Sequence, residues 1–230
     1  MSNLLKLLSE GGPVMIPMVG LSVATLATGV ERAIFWVNLL RKEDQIAHDV
    51  LEAAQYDLDE AAAIAARAQD KPIARFLLAA LRLRDSSPET IRLALETAGD
   101  EEFVQMRQGD KLLETVVGIA PLLGLLGTVT GLILTFVNLK IGGGGSSVDT
   151  SKAAAGIGEA LIATATGMVV AIMALFILRL CVTVRSKQVE YFSKVGGRFE
   201  LIYRRLWYEP AQNGNELHDT GYRRKATSSR

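Results

Sequence analysis

The chain has 230 residues, 49% of them hydrophobic, and its 25 Lys and Arg balance 25 Asp and Glu. Zero net charge gives no whole-chain attraction to nucleic acid or to an acidic substrate. The single cysteine, Cys181, excludes an intrachain disulfide, and His48 and His218 stand far apart with no metal-ligand spacing around them.

The averages hide a sharp division into uncharged runs and charged stretches. Residues 1–12 form a first segment in which Ser-Asn-Leu-Leu-Lys-Leu-Leu-Ser-Glu, residues 2–10, reads as a short amphipathic helix on a membrane surface. Gly11, Gly12 and Pro13 end it. Pro13 to Val30 is uncharged, Glu31 and Arg32 close the run, and Phe35 and Trp36 stand where an aromatic belt belongs, which gives a first transmembrane helix over 13–37. A cleaved signal peptide is the rival reading; a leading segment with only Lys6 and no small-residue cleavage site disfavours it.

Residues 38–114 are soluble in character. Ile46, Val50, Leu51, Ala54, Leu58, Ala61 and Ala65 recur at helical spacing, predicting one amphipathic helix over 43–68. Asp70-Lys71-Pro72 signals a turn, a second helix fits 73–84, and Ser87-Pro88 reads as a helix start. That helix can run on into the next apolar stretch, with Gly99 and Gly109 as candidate breaks.

Thr115 to Leu139 is a second uncharged run, a transmembrane helix over 115–139 in which Gly127 and Gly131 have the GxxxG spacing of close helix contact. Residues 140–152 form a hydrophilic connection with four consecutive glycines. It lacks the Gly-Lys-Ser/Thr of a phosphate-binding loop and reads as a flexible hairpin. Ala153 to Leu178 is the third span, 153–178, with many small side chains and one ionisable residue, Glu159. Charged and apolar residues then alternate as a helical extension over 179–209, and 210–230 reads as a disordered tail whose Arg223-Arg224-Lys225 could touch anionic lipid.

Topology follows from the basic residues. Eleven of the 25 lie in residues 31–112 and eleven in 179–230, leaving Lys6, Lys140 and Lys152 for the other side. The positive-inside rule puts the N-terminus outside and both large segments in the cytoplasm. The expectation is an all-α integral membrane protein with three transmembrane helices and long helical cytoplasmic extensions.

No Ser/His/Asp set, Cys/His pair or paired intramembrane carboxylates exists, so an enzyme is not expected, nor a cofactor or metal. Polarity in the spans rests mainly on Glu159 and on Thr128, Thr130, Thr135, Thr164 and Thr166. Threonines in membranes ordinarily bond their own helix or bridge to a neighbour. Glu159 has no intramembrane Lys, Arg or His to pair with. It is either solvated near the outer mouth, roughly 9 Å along the run at 1.5 Å per residue, or it faces a lumen as a proton-responsive or cation-attracting group. Thr166, seven residues on, shares its face; Thr164, five residues on, lies roughly 140° around the helix. Three helices alone can scarcely enclose a lumen wide enough for both, so a homo-oligomeric ring is expected.

Ile119-Ala-Pro-Leu-Leu-Gly-Leu-Leu-Gly-Thr-Val-Thr-Gly131 and Gly156-Ile-Gly-Glu-Ala-Leu-Ile-Ala-Thr-Ala-Thr-Gly167 resemble the two signature segments of the MotA/TolQ/ExbB proton-channel family, ExbB and TolQ above all. The three-span plan and the insertion after span one agree, so the resemblance covers nearly the whole chain. It implies a pentamer of the inner membrane whose second and third helices line a lumen. That lumen would hold the single-span helices of an ExbD- or TolR-like partner whose aspartate carries the proton, with a TonB-like energy transducer beyond. The family's pore threonines fall on Thr128 and Thr164 and its membrane glutamate on Glu159; Thr166 joins them as pore-lining by its face. Gly124, Gly127, Gly131, Gly156 and Gly167 are the expected packing positions. Met173, Leu178 and Arg179 depart from the proline and the Tyr-Asn the family often carries after Ala171-Ile172, which bears on the branch and the inner mouth. The implied function is an ExbB-like motor subunit that uses the proton motive force to energise outer-membrane transport. A TolQ-like subunit for envelope integrity and a non-conducting membrane scaffold are the alternatives. A flagellar stator fits less well, since that branch usually has four spans.

Overall fold

The computed structural model describes residues 12–141 and 147–212. The expected surface helix of residues 2–10, the glycine run and the basic tail cluster lie outside the described residues. Among the described residues every regular element is helical: α1 Met15–Leu40, α2 Glu43–Ala53, α3 Leu58–Arg67, α4 Pro72–Leu81, α5 Pro88–Met106, α6 Asp110–Ile141 and α7 Ser147–Tyr203. A π-helical turn, Arg204–Tyr208, follows α7. Three stretches are long and apolar enough to cross a membrane, within Met15–Ala53, Asp110–Val137 and Ala153–Gln212.

The connection between α6 and α7 is shorter than its polarity suggests. α6 runs to Ile141 and α7 starts at Ser147. Residues 147–152 are polar but contain no glycine or proline, and polarity alone does not stop a helix.

The helices form two compact units. The first comprises Met1–Ile34 and Gln108–Thr183 and holds the greater part of α1, all of α6 and the first part of α7. Met18, Leu113, Val116, Ala120, Val170, Ala171, Ala174 and Leu178 make its core. Its outer surface is apolar as well: Ile16, Val23, Leu122, Phe136, Ile172 and Phe176 are all 60% exposed or more. A bundle that is apolar inside and outside is what a bilayer or neighbouring helices cover.

The second unit comprises Phe35–Arg107 and Val184–Arg230. The helix expected over 43–68 is two helices. Asp57 breaks it: its Oδ1 accepts from the backbone N–H of Asp59 (2.7 Å) and of Glu60 (3.4 Å) and so caps α3. A short carboxylate that satisfies the free N–H groups of a new helix competes with continuation of the old one. The apolar spacing runs through the break because Ala47, Val50 and Leu51 of α2 and Leu58, Ala61 and Ala65 of α3 are all buried.

α4 is the centre of this unit. Ile73, Ala74, Phe76, Leu77, Leu78, Ala80 and Leu81 are buried, leaving almost no polar face. The end of α7 packs here through Phe192, Val195, Phe199 and Tyr203. Phe192 meets Phe76 at 4.9 Å and the half-buried Phe103 at 5.3 Å between ring centroids, and the buried rings of Phe76 and Phe192 contribute about 1.5–3 kcal/mol each. The Tyr203 hydroxyl lies 2.6 Å from the Arg84 carbonyl and 2.7 Å from that of Ser86, and the Trp207 indole donates to the Ala54 carbonyl at 2.9 Å. α5 does not continue into α6, because Gly109 takes φ +82, a conformation that glycine adopts at no steric cost.

Candidate functional site

The site is the seam between α6 and α7 in the first unit. Small residues let the two helices touch at the backbone. A Cβ built on Gly124 would lie 3.0 Å from Thr164 Cα and 3.2 Å from the Ala163 carbonyl oxygen. One on Gly127 would meet Ala163 Cβ at 2.5 Å, and one on Gly131 would meet Ala160 Cβ at 2.9 Å and the Gly156 carbonyl at 3.2 Å. One on Gly167 would sit 2.6 Å from the Ala120 carbonyl. The space beside Gly156 is taken by the Thr135 hydroxyl. The pairs ascend on α6 as they descend on α7, so the helices are antiparallel along the seam. Gly118 and Gly158 have nothing within 4 Å and lie off it.

The seam orders the hydroxyls. Thr164 donates across it to the Gly124 carbonyl at 2.8 Å, a bond that needs the close approach Gly124 permits. The others donate within their own helices: Thr128 to Leu125 (2.7 Å), Thr130 to Leu126 (2.9 Å), Thr135 to Gly131 (2.9 Å) and Thr166 to Ile162 (2.8 Å). Thr135 is buried, whereas Thr128, Thr164 and Thr166 are half-buried. Each hydroxyl proton is committed to a carbonyl, and each oxygen keeps acceptor capacity for an incoming donor.

Glu159 is half-buried and projects toward the start of α1. Its Oε1 fills the place a side chain on Gly12 would take, and Gly12 itself has φ +72. The Gly12 carbonyl accepts the Met15 N–H at 3.1 Å, so this is the first turn of α1. A helix N-terminus carries roughly half a positive charge, so a carboxylate there gains about 0.3–1 kcal/mol. Runs 115–139 and 153–178 contain no cationic side chain, and at Glu159 the backbone dipole of α1 lies alongside the carboxylate.

Geometry thus brings Thr164 onto Gly124 and sets Thr128 one helical turn farther along α6. Glu159 lies beside α1. Sequence reasoning missed Gly12 as the neighbour of Glu159; it has Ala160 and Ala163 among the small residues of a closely packed helix but not their pairing with the α6 glycines. The spacing of Ala160, Ala163 and Gly167 along one face of α7 was the available signal. The arrangement holds one carboxylate, a set of hydroxyls that do not store a proton near neutral pH, and closely packed apolar helices. Among the described residues no group of three or more His, Cys, Asp or Glu could hold a metal ion.

Comparison with known proteins identifies the family. The sequence model of the MotA/TolQ/ExbB proton channel family matches residues 68–194, which include all of α6 and the intramembrane part of α7. A Synechocystis protein named as biopolymer transport protein ExbB-like 1 is 59% identical over 203 residues, covering 88% of this chain and 80% of its own. The biopolymer transport protein ExbB of Xanthomonas campestris pv. campestris is 41% identical over 108 residues, 46% of this chain and 41% of its own. The Tol-Pal system protein TolQ of Haemophilus influenzae is 31% identical over 115 residues, 50% of this chain and 49% of its own. With its three apolar helices, the chain belongs to the MotA/TolQ/ExbB proton channel family as an all-α, multi-pass membrane protein of the ExbB/TolQ type.

Proposed function

We propose that this chain is the ring-forming subunit of a proton-driven motor in the inner membrane, ExbB-like in its work. Five copies enclose a lumen lined by α6 and α7. The lumen holds the single-span helix of an ExbD- or TolR-like partner, and motion of that helix passes to a TonB-like transducer to energise outer-membrane transport. Thr128, Thr164 and Thr166 line the lumen, and Glu159 shapes the potential near its outer mouth. The membrane potential contributes about 2.3 kcal/mol per charge per 100 mV, so a few protons per step can drive mechanical work.

The observation that carries this reading is an incomplete proton path. Spans 115–139 and 153–178 contain one acid, Glu159, and no second titratable group toward the other face. A path through them needs an acid from another polypeptide. The outward apolar faces of α6 and α7 support association with further helices. The likeness to TolQ gives a second reading, the same machine serving envelope integrity.

The proposal includes an orientation, N-terminus outside and C-terminus cytoplasmic, supported by the distribution of Lys and Arg. A reporter fused after Gly145 is expected to read as outside and one after Ser86 as inside. The reverse at either position overturns the three-span topology. Native mass spectrometry of the detergent-solubilised chain is expected to give five copies; a monomer at membrane concentrations contradicts the ring.

A further inference from the structure

The second unit buries a carboxylate that the seam does not use. α1 ends at Leu40, Lys42 turns the backbone with φ 65, and α2 begins on Glu43, beyond the uncharged part of the first span. Glu43 is 4% exposed, and Gln188 on α7 is 5% exposed. The Gln188 amide Nε2 donates to Glu43 Oε2 at 3.0 Å. The remaining oxygen of each side chain, Glu43 Oε1 and Gln188 Oε1, is buried without a hydrogen-bond partner.

That pattern is short by one donor. Buried acceptors left unmade cost about 1–3 kcal/mol each, and the surroundings do not supply the missing hydrogen. Lys71, the nearby cation, gives its ammonium to the Asn38 carbonyl at 2.8 Å and lies 3.7 Å from an Asp70 carboxylate oxygen. Asp44, next in the chain, adds negative charge. On α7, the Tyr191 hydroxyl lies near both Asp44 and Glu43 with Arg198 beside it, and Glu43 Oε1 receives no hydrogen bond. One proton on Glu43 Oε1 supplies the donor. Offered to Gln188 Oε1, it closes an acid–amide ring of two hydrogen bonds and removes a charge from a buried site.

We propose that Glu43 and Gln188 form a proton-binding site separate from the membrane seam, and that proton uptake there tightens α2 against α7. Burial pushes the Glu43 carboxyl up from its ordinary 4.5 to about 7; the Gln188 hydrogen bond opposes the rise, Asp44 adds to it and Lys71 opposes it. The folded chain keeps this proton where the unfolded chain has lost it, so the stabilisation is complete below pH 4.5 and is lost as pH rises through about 7. On the orientation proposed above, this site faces the compartment that receives the protons, and inward flux loads it. The uptake itself does not rest on that orientation or on conduction.

The test uses the purified full-length chain in lipid nanodiscs, without partner. Difference infrared spectroscopy follows the protonated carboxyl during a pH titration, and thermal unfolding is measured over the same range. In the wild type, a carboxyl titrating at about 7 and a Tm that falls across pH 5–8 are expected. Glu43→Gln is expected to lose that carboxyl signal and to hold its low-pH Tm throughout, because its amide supplies the donor permanently. Gln188→Leu removes both bonds of the acid–amide ring, so the Tm at low pH is expected to fall below that of the wild type. Retention of the signal in Glu43→Gln, or a Glu43 that titrates at its ordinary value, overturns the proposal. If Glu43→Gln does not fold, a wild-type Tm at low pH in Gln188→Leu does the same.

Discussion

Leucine in place of Gly124 or Gly167 is expected to remove the stably folded membrane unit. A Cβ on Gly167 would sit 2.6 Å from the Ala120 carbonyl and 3.2 Å from Gly124 Cα, and one on Gly124 would sit 3.0 Å from Thr164 Cα. These obstacles are backbone atoms and cannot swing aside as the end of a flexible side chain does. The helices must separate, and separation breaks the Thr164–Gly124 bond and opens the core around Ala120 and Val170. Overpacking of this kind costs about 3 kcal/mol or more, a large share of a typical stability. The measure is the monodisperse yield in detergent and the Tm of what remains. Gly118→Ala is the control. Nothing lies within 4 Å of Gly118, and alanine is favoured over glycine inside a helix by roughly 0.5–1 kcal/mol. Wild-type yield and Tm for Gly167→Leu would return the seam to incidental contact.

The seam was partly legible. Gly127 and Gly131 announce close packing by their spacing, and Thr164 and Gly124 lie in the two signature segments. Their partners were not legible, because a helix that is small all round does not say which small residue faces which. The span lengths came from charge, which is a local property. The rest depended on distant pairings. Glu159 lies against Gly12, and Glu43 meets Gln188 across 145 residues of sequence. The division of 43–68 into two helices was hidden because Asp57 can be read equally as an exposed helical residue or as a cap, and the apolar spacing continues through it.

Thr128→Val is expected to leave the fold intact and to cut energised transport at least about tenfold, the effect of losing roughly 1.4 kcal/mol of a required interaction. Valine matches threonine in shape. The bond it removes runs to the Leu125 carbonyl in the same helix, and the residue is half-buried, so Tm is expected to stay at the wild-type value. Thr164→Val provides the contrast. It leaves the Gly124 carbonyl without its cross-helix donor and is expected to lower stability by about 1 kcal/mol as well as activity. Near-normal transport by a well-expressed Thr128→Val variant would make this hydroxyl a packing element.

On the proposed function, proton passage belongs to the complex and not to this chain alone. It is tested most directly by proton flux into energised proteoliposomes, measured with the purified chain by itself and then with a single-span partner that carries a membrane acid. Little leak through the chain alone, conduction on addition of the partner, and reduced conduction in a Glu159→Gln complex whose ring still assembles are expected. Robust conduction by the chain alone, abolished by Glu159→Gln, would contradict it and make Glu159 the carrier.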